Sequence, residues 1–168
     1  MCLGLKSISG GEGGRCSLGN FEVLGDGPSG HADCTDHDIA SIGEGNAAGE
    51  ARAREIGVPA NIAVLDAGAY MKAFVRMDGA LLGSIDIAVN KARTAALFSM
   101  RTEAIGEFCK PGATSFGLEQ TNGGLVVFAG GIPLTDASNI LVGAVGVSGG
   151  AVSQDLEIAQ AAAAAIAV

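Results

Sequence analysis

The most constraining feature of this chain is a helix with a face too small to be an ordinary core face. Placed at about 3.6 residues per turn from Leu81 to Phe98, the residues Leu81, Ile85, Ala88, Ala92 and Ala95 fall on one stripe. Three alanines on one stripe let the helix backbone lie very close to its neighbour, and a sheet is the surface that accepts such an approach. Asp86, Asn90 and Arg93 form a solvated stripe. Between the two runs a mixed stripe of Ser84, Ile87, Lys91, Thr94 and Phe98. A lysine and a threonine among apolar residues are read either as the half-buried wall of a pocket or as a lysine that snorkels, its stem on apolar neighbours and its head in water.

The segments around this helix supply the sheet. Asn61–Asp66 reads as a buried strand and Tyr70–Val75 as its partner, joined by a hairpin turn through Asp66-Ala67-Gly68-Ala69. Upstream, Asp38 is a plausible N-cap for a helix from Ile39 to about Ile56, ended by Gly57. Gly43, Gly45 and Gly49 weaken that helix by roughly 1 kcal/mol each, which makes sense if another element packs very close. Downstream, Thr102–Phe108 predicts a short helix, Gly124–Phe128 a third strand, Gly130–Leu134 a sharply bent loop and Ile140–Val147 a fourth strand. Ser153 is the predicted cap of a terminal helix from Gln154 to about Ala167, with Asp155 and Glu157 favouring the positive end of its dipole. Hairpins imply antiparallel pairing, so the fold class is α+β.

Residues 1–36 read differently. Gly-Gly, Gly-Asp-Gly and Pro-Ser-Gly punctuate them, with one short strand candidate at Phe21–Leu24. They are expected to form an N-terminal arm, partly irregular, ahead of a domain over 37–168. His31, Cys34 and His37 with the interleaved Asp33, Asp36 and Asp38 are metal-ligand types, but a second ligand pair is missing and the chain has no other histidine. No metal site is expected. The four cysteines contain no C-x-x-C pair, so a disulfide framework is not expected either.

A net charge of −8 argues against a nucleic-acid partner, which would need clustered Lys and Arg. No apolar run approaches the roughly 20 residues of a membrane span, and the start of the chain lacks a signal-peptide pattern. A cytoplasmic protein without membrane contact is the expectation.

Two motifs carry candidate chemistry. Arg76 and Asp78 end a strand just ahead of a helix N-terminus at Gly79 and Ala80, where free N–H groups and a planar guanidinium favour a carboxylate. The alternative is an Arg76–Asp78 pair that merely pins the turn. Gly146-Val147-Ser148-Gly149-Gly150 matches the serine-hydrolase elbow, yet both histidines precede it, so the glycines are assigned to a tight strand-to-helix turn.

Five motifs in order complete the picture: Ile62–Asp66, Arg76-Met77-Asp78-Gly79-Ala80, Lys91-Ala92-Arg93-Thr94-Ala95-Ala96, Gly130–Leu134, and Val142–Gly149 followed by Gln154-Asp155. From about residue 38 onward the chain resembles the GlcG/HbpS family of haem-binding-like proteins, which includes the C-terminal domain of PduO-type adenosyltransferases. Two features depart from that pattern: Ala69 stands where the family's turn usually has a second Gly, and residues 1–36 have no counterpart. The resemblance implies a profilin-like, five-stranded antiparallel sheet with packed helices, a homo-oligomer, and a small-molecule ligand, haem or a corrinoid, with no other cofactor. It places the pocket between the Arg76 turn, the Lys91 helix and the Gly131–Pro133 loop, so that Thr94, Arg76, Met77, Gly131 and Pro133 would bind the cofactor. Should the protein be an enzyme instead, a lyase or isomerase acting on a carboxylate-bearing metabolite, Arg76 would orient the substrate, Lys91 would act as base or electrophile and Asp78 would tune it. A non-catalytic assembly partner is the third possibility. Haem iron usually takes an axial His, Cys, Met or Tyr, and the matched region contains no histidine; Met71, Met77, Met100, Tyr70 and Cys109 are its candidates.

Overall fold

The computed structural model describes residues 39–166. The N-terminal arm, the His31/Cys34/His37 cluster and the Asp38 cap lie outside the described residues. The elements are α1 (Ile39–Glu55), β1 (Asn61–Asp66), β2 (Met71–Arg76), α2 (Gly83–Phe98), α3 (Thr102–Cys109), a single 3-10 turn (Leu118–Gln120), β3 (Gly131–Thr135), β4 (Leu141–Ser148) and α4 (Val152–Ala165). The strands form one antiparallel sheet in the order β2-β1-β4-β3.

The sheet is covered on both faces. On one, Ile62 and Val64 of β1 and Val145 and Val147 of β4 pack with Ile42 and Ala53 of α1 and Ile158 and Ala162 of α4. Gly45 and Gly49 serve that contact, since a Cβ on either would run into Ile166 or Ile62. On the other face Ala63 and Leu65 meet Ala88 and Ala92 of α2, and Ala144 meets Ala95 and Ala96. This is the small-residue stripe, and Gly146 shows how close the approach is: the place of its absent Cβ is taken by the backbone of Ala88 and Ala92. At the helix start the stripe fails, because Leu81 precedes α2 and is 65% exposed.

The expected third strand and the expected loop exchange roles. Gly131–Thr135 is a strand at the sheet edge, where Pro133 costs no ladder bond. Residues 124–128 join no ladder, so the described sheet has four strands rather than five. Side chains have captured their backbone: Val126 N–H donates to Thr94 Oγ1 at 3.1 Å, and Thr102 Oγ1 donates to the Phe128 carbonyl at 2.8 Å. Thr102 Oγ1 also accepts the Gly131 N–H at 3.0 Å. This strap hangs on hydroxyls of α2 and α3. The terminal helix also starts differently, with Ala151 rather than Ser153 at the cap and Gln154 Oε1 accepting the Ala151 N–H at 2.9 Å.

Candidate functional site

Arg76 ends β2 opposite Asn61, and Phe74 stands opposite Ala63. Strand alternation therefore puts Arg76 and Phe74 on the face that carries Asn61 and Ala63, at the outer edge of the sheet. Asn61 is fully buried, and its Nδ2 donates to the Leu81 carbonyl at 3.2 Å, tying down the turn into α2. Gly79 takes φ +85° in this turn, a left-handed conformation that suits glycine. Arg76 and Asp78 are both exposed and form no ion pair with each other, so the pinning pair is not what holds the turn. The exposed apolar side chains of this strand face and of the turn into α2 are Phe74 (36%), Leu81 (65%) and Leu82 (72%).

Lys91 is neither a pocket wall nor a snorkelling residue. It is fully buried; its Nζ donates to Asp155 Oδ2 at 2.7 Å and to the Val147 carbonyl at 2.8 Å, and lies 4.8 Å from the centre of the Phe128 ring. Asp155, 2% exposed, is satisfied from the other side, its Oδ1 accepting the N–H groups of Gly149 and Gly150 at 2.9 Å each. The elbow-like glycines thus feed Asp155. Burial drives the Lys91 ammonium below the ordinary lysine range, and the hydrogen bond and charge of Asp155 pull it part of the way back. A Cβ on Gly130, at φ +119°, would press on Lys91 Nζ and the Val147 carbonyl, so that glycine is also part of the staple.

The nominated residues therefore divide. Arg76 and Asp78 stay together at the β2 edge. Lys91, Thr94 and Gly131 gather round the strap: Gly131 is buried, with the Lys91 backbone where its Cβ would be. Met77 packs towards the α1–α4 face, with its Sδ 3.5 Å from the Ala60 N–H. Pro133 is half-buried in β3. In register, Arg76, Asn61 and Ser148 form one row, so the Arg76 backbone lies two strands, about 10 Å, from the strand end that binds Lys91. Asp155 is the residue sequence reasoning missed. It reads as an acid favouring the helix dipole, and its one further signal is the Gly149-Gly150 turn that ends five residues before it.

A small antiparallel sheet between a helix pair and a single long helix, with a solvent-facing arginine on its edge strand, defines the class: a compact α+β domain of the HbpS-like architecture. A family model described as haem degrading protein HbpS-like matches residues 35–164. The chain belongs to that family. It is 43% identical over 114 residues to a 15.0 kDa protein of the dhaT-dhaS intergenic region of Citrobacter freundii, which covers 67% of this chain and 80% of the relative. It is 40% identical over 116 residues to the corrinoid adenosyltransferase PduO of Salmonella typhimurium, covering 68% of this chain but only 34% of PduO. The solved PduOC:heme complex superposes with a TM-score of 0.73 at 38% identity, covering 76% of this chain and 92% of that one.

Proposed function

We propose that this protein binds a small ligand with an apolar body and a carboxylate, haem or a related tetrapyrrole first among them. The observation that carries the reading is Arg76, exposed and without an ion-pair partner among the described residues, on an edge whose strand face and turn also expose Phe74, Leu81 and Leu82. A guanidinium offers a carboxylate two parallel hydrogen bonds, and the apolar side chains offer a hydrophobic body somewhere to lie. The likeness to the PduOC:heme complex supports the same ligand class.

The edge fits the periphery of a haem, whose propionates Arg76 would hold. For the iron, the described residues include no histidine, Met77 is turned inward and Cys109 is buried in α3, which leaves the exposed Tyr70 and Met71 among the nominated axial ligands. The lyase or isomerase reading is weaker, because Lys91, its base, is enclosed and held by Asp155 and the Val147 carbonyl. Homo-oligomeric assembly belongs to the same reading, supported by exposed Tyr70, Met71 and Ile140 at the sheet end opposite Arg76; light scattering tests it. Among the described residues no helix is long and apolar enough to cross a membrane.

Haem titration followed at the Soret band tests the ligand. A saturable band that weakens in Arg76→Ala supports the reading. Absence of any band, together with no binding of a simple apolar carboxylate, removes it.

A further inference from the structure

The sheet face under α2 is apolar except at one end. There Arg76, Asn61 and Ser148 stand side by side on β2, β1 and β4, whereas Phe74, Ala63 and Gly146 form a row further in. Asn61 is 0% and Ser148 4% exposed, so solvent meets the polar row at Arg76. Ser84, one turn ahead of Ala88 on the same helix stripe, is buried as well. Packing of α2 on the sheet does not call for these polar groups, since Ala63, Leu65, Ala88 and Ala92 carry it.

Asn61 is only half satisfied. Its Nδ2 donates to the Leu81 carbonyl at 3.2 Å, which sets the amide between the end of β2 and the first turn of α2. Its Oδ1 is buried with no hydrogen-bond partner. Turning the amide over would set that oxygen against the Leu81 carbonyl, so the orphan is the acceptor. A buried acceptor without a donor is costly, and the bond to Leu81 does not account for it. Directly opposite on β2 stands Arg76, without an ion-pair partner among the described residues. Cross-strand neighbours have Cα atoms about 5 Å apart, so a carboxylate held by Arg76 over this strand pair brings its adjacent carbon towards the Asn61 amide. What Oδ1 lacks is a donor. A second carboxylate has none, and an ammonium would lie beside the guanidinium, like charge on like. A hydroxyl is neutral, small and able to donate.

We propose that the Arg76 edge selects 2-hydroxy acids with an apolar body: Arg76 takes the carboxylate, and Asn61 Oδ1 accepts a hydrogen bond from the adjacent hydroxyl. The inference rests on the reading of Arg76 as a carboxylate site and narrows it; a haem propionate, with no such hydroxyl, would engage Arg76 alone. Mandelate and phenylacetate share a phenyl body and a carboxylate and differ by that hydroxyl. Each is titrated into the full-length protein by calorimetry and by NMR of the side-chain amides. Mandelate, in one enantiomer, is expected to bind roughly tenfold more tightly, within the range of one hydrogen bond to a buried orphan acceptor. It should also shift the Asn61 Nδ2 signals, which phenylacetate leaves in place. Arg76→Ala should weaken both acids, whereas Asn61→Ala should remove the preference for mandelate and leave phenylacetate binding as it was. A merely structural Asn61 would leave the ratio of the two affinities unchanged in Asn61→Ala, and that result overturns the proposal. Should Asn61→Ala fail to fold, the Asn61 signals of the parent protein decide. Equal affinities in the parent, with Arg76→Ala weakening both, overturn the hydroxy-acid inference and leave the carboxylate reading standing. Binding of neither acid removes both.

Discussion

Two cations fifteen positions apart in the chain, Arg76 and Lys91, were nominated for one pocket, and the fold treats them in opposite ways. Lys91 has given up solvent entirely and in return holds a carboxylate, a carbonyl and an aromatic face. Arg76 keeps its solvent and has no ion-pair partner among the described residues. The lesson concerns availability. A buried cation is spent on the fold, because desolvating it demands a full set of partners. An exposed cation with apolar neighbours and no partner of its own remains free to recognise something else.

The largest effect should come from breaking the buried half of this contrast. Asp155→Ala strands a desolvated ammonium and the Gly149 and Gly150 N–H groups, and should cost about 3–5 kcal/mol, read by chemical denaturation. Lys91→Met should also destabilise, by less, since Asp155 keeps its two glycine donors. The double change Lys91→Met with Asp155→Asn removes both charges while preserving the acceptor for those N–H groups, and should recover much of the loss. A Lys91→Met variant as stable as the parent would show that the ion pair contributes nothing. The pH dependence has a definite sign. With the folded Lys91 held below its unfolded value, the unfolded chain holds more protons through that window, so this group's contribution to stability rises with pH up to the ordinary lysine range. The window of the rise should be widest in Asp155→Ala, where only the charge of Glu103 still pulls the ammonium back up.

The exposed half should show the reverse pattern. Arg76→Ala is expected to leave the melt unchanged and to weaken an apolar carboxylate by one to two decades, the equivalent of roughly 1.5–3 kcal/mol. A shifted melt with unchanged affinity would place Arg76 on the structural side of the contrast.

Much of the fold was legible because its signals are local. Asn61–Asp66 is an apolar run bounded by turn residues, and it forms a strand with those bounds. The alanines of α2 announced close packing, and Gly146 supplies it from the facing strand. What could not be read depends on partners distant in sequence. Gly124–Phe128 has the local marks of a strand, and its backbone bonds go instead to the hydroxyls of Thr94 and Thr102 and to the Glu119 carbonyl. Lys91 sits on a stripe that suits a pocket wall as well as a core, and its assignment turns on an aspartate 64 positions later. At the candidate site, the Arg76 turn was recognisable as a motif, whereas its lack of an ion pair with Asp78 appears only in three dimensions.

Thr102→Val makes a smaller intervention, at the anchor of the strap. It leaves the buried Gly131 N–H without an acceptor and should cost about 1–3 kcal/mol, with Thr102→Ser restoring most of it. Smallest of all should be removal of residues 1–36, which is expected to leave the cooperative melt nearly unchanged. Collapse of the melt would make the arm part of the core.

The hydroxyl-hung strap has a consequence for how this domain moves. A ladder strand leaves its sheet only by breaking a cooperative row of bonds, whereas residues 125–129 are held at a few separate points. Amide hydrogen exchange should therefore find a subglobal opening here, well below the free energy that unfolds β1 and β4. Exchange in this segment would then report a fluctuation of one strap and not of the whole domain.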